Sequence, residues 1–281
     1  MPDSLNEILV FQNHFKMKSI RIFLLAIAIM YLPVQTMAWG TNGHRICGQI
    51  ADSYLTPKAR AAIKAILGDE SIAMTSNWAD FIKSDPAYNY LSVWHYVDFD
   101  KRMTYPEMQA YLKADTTTDA YTKMNFLIGE LKKKNLSKTS KVLYLRMLIH
   151  IVEDVHQPMH TAHTADKGGN DVKLTWNNNP QPTNLHSIWD SQLIDMQQLS
   201  FTEYVAWINH TTAKQRAELQ AAPVSQWLFE SSQLAEKIYA DVEGKDKVSG
   251  YNYNFKFIGV LNQQLLKGGV RLAGVLNQLF G

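Results

Sequence analysis

The chain has 281 residues, with 28 Lys and Arg against 26 Asp and Glu for a formal charge of +2, and 46% of its residues are hydrophobic. That composition supplies a packed core and excludes a disordered or collagen-like chain; the near balance of charge excludes holding nucleic acid by a broad electrostatic field alone. Cys47 is the only cysteine, so no intramolecular disulfide forms and stability must come from packing or metal.

Residues 1–16 carry Asp3, Asn6, Glu7 and Asn13 and do not resemble an export signal, which makes Met17 a candidate initiator. Lys18 and Arg21 then precede an almost wholly apolar run, Ile22 to Val34, that ends at Thr36-Met37-Ala38. A charged start, a short apolar stretch and small residues before a cleavage point form the pattern of a secretory signal peptide. The run falls short of the roughly 20 apolar residues that a membrane span needs. Residues 1–38 are therefore set apart as N-terminal extension and signal peptide, and 39–281 are expected to form a single domain. Its mature N-terminus is Trp39, and because that residue is not Cys, no lipid anchor is expected. Removing three basic and two acidic residues with the leader takes the formal charge from +2 to +1.

Helical spacing dominates from there. Ile46, Ile50 and Tyr54 share one face, and Thr56-Pro57 opens a second helix through Ala61, Ile63, Ile66 and Leu67 that Gly68 closes. Further helices are expected near 77–84, 105–114, 118–134, 140–156, 184–196, 202–209, 225–242 and 255–279. Lys132-Lys133-Lys134 reads as the solvated end of one of them, where cations suit the helix dipole. Val172-Lys173-Leu174-Thr175-Trp176 alternates within a Gly/Asn/Pro-rich stretch from 166 to 184, the mark of a small ribbon or an irregular loop. The expected fold class is mainly α, a single-domain helical bundle with at most a short β ribbon.

The helix that runs through Val142 to Asp154 is apolar nearly all round, so its polar groups need a reason to be there. His150 and Asp154 are four residues apart and project from one face; alone, they read equally well as a hydrogen-bonded pair in the core. The same spacing recurs in His186 and Asp190, and the repetition points to metal. His160 ends His156-Gln157-Pro158-Met159-His160, where the proline stops the helix and turns the chain back. Asp80 in Asn77-Trp78-Ala79-Asp80, His95 in Val93-Trp94-His95-Tyr96, and His44 add further donors. Imidazole and carboxylate without thiolate suit catalytic zinc, and these groups are too many for one ion. Trp39 joins them through its amine and carbonyl only after the leader is removed, which ties metal assembly to processing. Elsewhere, His156 reads as a structural hydrogen bonder, His163 and His210 as solvated, and Cys47 as a small buried helix residue.

The ordered set Trp39, His44, Asp80, His95, His150, Asp154, His160, His186 and Asp190, with Trp39-Gly40, Gly43-His44, Gly168-Gly169-Asn170 and Gly268-Gly269-Val270-Arg271-Leu272-Ala273, resembles the zinc-dependent, single-strand-preferring nucleases of the S1/P1 type. These share a fold superfamily with zinc-dependent phospholipase C. The resemblance implies a trinuclear cleft holding three Zn2+ per chain. Asp80, His95, His150 and Asp154 would hold one ion, Trp39 and His44 a second that shares Asp154, and His160, His186 and Asp190 the third. It gives Asp80, Lys83 and Asp154 to catalysis, Lys83 also to the scissile phosphate, and Tyr96, Asp98 and Asn170 to a nucleobase. The implied enzyme is a monomeric endonuclease and 3′-nucleotidase that breaks P–O3′ bonds of single-stranded DNA and RNA. It would be periplasmic or secreted, with no stable membrane association after processing. Tyr96 stands where Phe is expected and Met159 where Leu is usual, and the missing disulfide framework points to a bacterial source. Two other functions compete. A zinc-dependent phospholipase C is disfavoured by the short Trp39-to-His44 spacing, by Asp190 where those lipases use Glu, and by Asp98 and Asn170. A non-catalytic zinc-binding protein leaves Lys83, Tyr96 and Asp98 without a use.

Overall fold

The computed structural model describes residues 39–177, 179 and 181–281; the leader assigned to residues 1–38 lies outside the described residues. Helix α1 (Thr41–Ser53) is followed by α2 (Pro57–Leu67), which begins where the sequence signals it. The Thr56 side chain accepts from the N–H of Ala59, Pro57 fills the first turn, and Gly68 leaves with φ 73°. Short helices α3 (Ile72–Thr75) and α4 (Trp78–Phe81) run into 3₁₀ segments Ile82–Ser84 and Pro86–Trp94. Next come α5 (Tyr105–Ala114), α6 (Ala120–Leu131) and α7 (Lys138–Asp154), then a 3₁₀ turn at Pro158–Thr161. Strands β1 (Lys173–Trp176) and β2 (Thr183–Asn184) precede α8, made of Leu185–Ser187, a π turn Ile188–Gln192 and Leu193–Asp195. The order ends with α9 (Phe201–Ile208), α10 (Ala213–Ala221), α11 (Val224–Val242), β3 (Lys247–Val248) and α12 (Gly250–Phe280). The mainly α class expected from the sequence is the class observed.

Two apolar clusters make the core. One joins Leu145, Leu148, Ile149 and Val152 of α7 to Met124 and Leu127 of α6 and to Leu272 and Leu276 of α12. The other joins Trp39 and Ile46 and Ile50 of α1 to Trp189 and Leu193 of α8 and to Leu261 and Leu265 of α12. Each fully buried aliphatic side chain contributes roughly 1.5–3 kcal/mol, so α12, which feeds both clusters, is the strut that sets α1 against the rest.

Besides the short helix α3, three features escape sequence reasoning. Helix α10 has no buried residue and so carries no apolar stripe to read. The ribbon is three-stranded, ordered β2-β1-β3: β1 pairs antiparallel with β2 and parallel with β3, Thr175 opposite Lys247. Strand β3 is two residues long and lies far away in sequence. The 3₁₀ run over Pro86–Trp94 has tighter turns than the helical template assumes. Among the described residues, no helix is long and apolar enough to cross a membrane.

Candidate metal centre

Six separate pieces of chain deliver the predicted donors to one buried place. The last turn of α7 supplies His150 and Asp154, α1 supplies His44, and α4 supplies Asp80. His95 follows directly on the 3₁₀ segment Pro86–Trp94, His160 lies in the turn after α7, and α8 supplies His186 and Asp190. All are buried, as is Trp39. The π turn widens α8 at Asp190, a local expansion often found at functional sites.

Asp154 faces two ways. Its Oδ2 lies 3.0 Å from His95 Nδ1 and 3.1 Å from His150 Nε2, while its Oδ1 lies 3.4 Å from His44 Nε2. Asp80 reaches the same groups, 3.7 Å from both His150 Nε2 and His44 Nε2 and 4.0 Å from His95 Nδ1. On the other side, Asp190 lies 3.3 Å from His186 Nε2 and 3.8 Å from His160 Nε2. The donors thus fall into three groups able to hold a metal ion: His44, His150 and Asp154; Asp80, His95 and His150; His160, His186 and Asp190. The first two share His150, a closer merging than a strict division of ligands implies.

Several of these donors have nothing else to bind. His44 Nε2, His95 Nε2, Asp80 Oδ2, Asp154 Oδ1 and His160 Nε2 are buried with no hydrogen-bond partner among the described residues. Each such group costs about 1–3 kcal/mol, more if charged, a burden a coordinated cation removes. The rings are also held from behind. His44 Nδ1 meets Glu153 Oε2 at 2.6 Å, His150 Nδ1 donates to the Ser76 carbonyl at 2.6 Å, and His160 and His186 Nδ1 donate to the carbonyls of His95 and Gly168 at 2.7 Å each. A proton held at Nδ1 leaves Nε2 as an inward lone pair, the form a metal takes. Glu153 in turn accepts from Ser76 Oγ at 2.8 Å, and its carbonyl accepts from the Trp39 indole at 2.9 Å. Gln157 Nε2 donates to Asp190 Oδ1 at 2.6 Å. The donor set and its orientation fit zinc.

Electrostatics agree with that fit. Burial, aided by neighbouring cationic groups, holds His44, His95 and His160 well below the usual imidazole range and His186 at about 4, so these rings are neutral. Burial also lifts Glu153 and Asp190 well above the carboxylate range and Asp154 to about 6. His150 differs: burial pulls it down, but Asp154 and Asp80 outweigh burial and raise it. Carboxylates this crowded repel one another, and a divalent cation would reverse the sign of that interaction.

The remaining predicted site residues follow Asp80 and His95 in the chain or sit on the glycine loop before α8. Lys83, one turn beyond Asp80, donates to Asp80 Oδ1 at 2.7 Å. The extended stretch after His95 bonds to the turn beyond α7, Val97 N to His160 O at 2.8 Å and Phe99 N to Ala162 O at 2.7 Å. Alternation buries Val97 and Phe99 and turns Tyr96 and Asp98 to the opposite side, where Tyr96 is 38% exposed. Asp98 Oδ1 is buried and unpartnered; burial, with Asp166 nearby, pushes its carboxyl to about 7. The glycine loop closes over it. Gly168 has φ 61°, and a β-carbon there would lie 2.3 Å from the Met159 carbonyl and 3.4 Å from Asp98 Oδ1. Asn170, two residues on, keeps a buried and unpartnered Oδ1 while its Nδ2 donates to Lys167 O at 2.8 Å.

Sequence reasoning missed four groups that position the site: Glu153, Gln157, Ser76 and Asp166. Asp166 accepts from Gly169 N at 2.8 Å and Tyr239 Oη at 2.7 Å, which pins the glycine loop. Only Glu153 had a signal, as a second carboxylate in an apolar helix beside Asp154. His163, expected to be solvated, keeps 34% of its side chain exposed but is also partnered: it meets Glu236 Oε1 at 2.7 Å and stacks on Tyr239 at 4.3 Å. His156 does hydrogen-bond structurally, to Val152 O at 2.7 Å, and Cys47 is buried as expected.

Comparison with known proteins points the same way. The model of a family described as S1/P1 Nuclease matches residues 39–281. Among curated proteins, the chain is similar to Endonuclease 3 of Arabidopsis thaliana, 28% identical over 93% of this chain and 96% of that relative. It is also similar to Nuclease S1 of Aspergillus oryzae, 27% identical over 62% of this chain and 60% of the relative. Nuclease P1 of Penicillium citrinum is 24% identical over 86% of this chain and 98% of the relative.

Proposed function

The chain belongs to the S1/P1 nuclease family and is a phosphodiester-cleaving hydrolase, and from that premise we propose that it is an exported, monomeric, three-zinc endonuclease and 3′-nucleotidase that prefers single strands and leaves 5′-phosphates. The observation that carries the metal assignment is the convergence of buried, unpartnered donor atoms on three adjoining groups. Asp80, His95, His150 and Asp154 would hold one ion. His44 would hold a second through Asp154, with Trp39 adding its amine and carbonyl after cleavage behind Ala38, and His160, His186 and Asp190 would hold the third. The bond from Gly40 N to Asp190 O at 2.7 Å supports the role of Trp39, because it anchors the start of the mature chain beside the centre.

Bound there, the zinc ions supply Lewis acidity that polarises the phosphoryl group and brings the pKa of water toward about 7. Lys83, held on Asp80, presents a cation to the non-bridging phosphate oxygens. Tyr96 stacks on a base while Asp98 and Asn170 hydrogen-bond its edge. An unpaired base enters such a pocket freely, whereas a duplex base must first be unstacked at a few kcal/mol, which favours single strands.

The test is elemental analysis of protein processed to Trp39, beside hydrolysis of single-stranded DNA, duplex DNA and a 3′-nucleotide before and after chelation. About three zinc ions per chain with chelator-sensitive release of 5′-nucleotides is the expected result. Products ending in 3′-phosphate would overturn the leaving-group assignment, and little zinc in processed protein would overturn the centre itself.

A further inference from the structure

Aromatic rings of the 3₁₀ segment Pro86–Trp94 and of α6 lie close to Tyr96 in the fold. The N–H of Ala120, first residue of α6, donates to the Tyr96 carbonyl at 3.0 Å, so the helix starts beside Tyr96. One turn on, Lys123 Nζ lies 5.0 Å from the Trp94 ring centroid and 5.5 Å from that of Phe126. Tyr90 meets Trp94 edge-on at 5.9 Å. Trp94 is buried and forms the floor, while Tyr90 and Phe126 keep 52% and 41% of their surface exposed. Among the described residues, no carboxylate pairs with Lys123.

Exposed rings with a free cation between them are the parts of a single-strand binding groove: rings take bases irrespective of sequence, and the cation takes a phosphate. The near-neutral charge of residues 39–281 gives no long-range hold on a polyanion, so affinity for a polymer must reside in local features of this kind. The Tyr96–Ala120 bond places the start of α6 beside the backbone of Tyr96, two residues after Trp94, so the rings lie next to the proposed base-binding residues.

We propose that Tyr90, Lys123 and Phe126 extend the base pocket into a track for single-stranded substrate, taking nucleotides 5′ to the one held at Tyr96. The direction rests on the nuclease reading above: a pocket that accepts 3′-nucleotides holds the nucleoside whose 3′ oxygen bears the scissile phosphate. A strand that leaves it away from the metal centre therefore runs toward its 5′ end.

The test compares two substrates of the intact enzyme, a 3′-nucleoside monophosphate that ends at Tyr96 and a single-stranded oligonucleotide with several nucleotides 5′ of the cleaved bond. Tyr90→Ala and Phe126→Ala are each expected to lower kcat/KM on the oligonucleotide about tenfold, through KM. Hydrolysis of the mononucleotide should persist, which also reports an intact fold. Lys123→Gln should reduce the salt dependence of oligonucleotide affinity by a slope of about 0.7. Equal loss on both substrates, or no loss on either, overturns the track. Wild-type enzyme that cleaves neither substrate would instead overturn the nuclease reading on which the track rests.

Discussion

The two sides of the metal centre use the same residue types but differ in charge. Where α1, α4 and α7 meet, Asp80, Asp154 and Glu153 surround His44, His95 and His150, whereas Asp190 of α8 stands with His160 and His186. Among the imidazoles only His150 records the difference, raised by its two aspartates, while burial lowers His44 and His95 on its own side as it lowers His160 and His186 on the other. Backing differs too, with a carboxylate behind His44 and carbonyls behind His160 and His186. On the three-zinc reading proposed above, the anionic side would hold two cations close together and the α8 side one more loosely.

Removing the shared group would break this comparison most completely. Asp154→Ala is expected to cost about two of the three zinc ions proposed above and more than a hundredfold in activity, beyond the roughly 10–100-fold typical of groups behind a ligand. Elemental analysis and initial rates check it; full metal retention would dismiss the bridge. Glu153→Gln keeps the shape behind His44 but replaces a carboxyl with an amide that cannot ionise when a cation binds, and should weaken metal binding about 10–100-fold on the anionic side alone. Gln157→Leu should weaken only the α8 side, and titration in chelator buffers separates the two. In wild-type protein, slow chelation should release the α8-side ion first; simultaneous release of all ions would erase the contrast.

The smallest effect lies at the rim. Burial raises Asp98 to about 7, above its unfolded value of about 3.9. The folded state therefore holds this proton more tightly, and ionising Asp98 opposes folding as pH rises through that window. Once ionised, the carboxylate accepts hydrogen bonds from a base edge. KM for a 3′-nucleotide should then fall a few-fold as pH rises through about 7, and Asp98→Asn should remove the step. A step that survives in the variant would belong to the metal centre.

The donors were legible because helical spacing is local: His150 with Asp154 and His186 with Asp190 each announce a shared face in five residues. Their supports were not, since Glu153 finds His44 and Ser76 only through the packing of α7 against α1 and α3. The partners of His163 are hidden for the same reason, Glu236 and Tyr239 lying on α11. Helix α10 was missed for the opposite reason, because with no buried face its sequence records no neighbours.

Gly269 brings α12 so near α1 that a β-carbon there would lie 2.5 Å from Ile50 Cβ and 2.7 Å from the Cys47 carbonyl. His44 rides on that same α1. The two helices meet across almost the whole of residues 39–281, and closing so long a loop is costly in entropy and slow. A growing chain therefore presents His44 well before the helix that fixes its place has been made. Of the three donor groups only the one with His44 waits on that contact, so a molecule whose ends have not met has that group still incomplete.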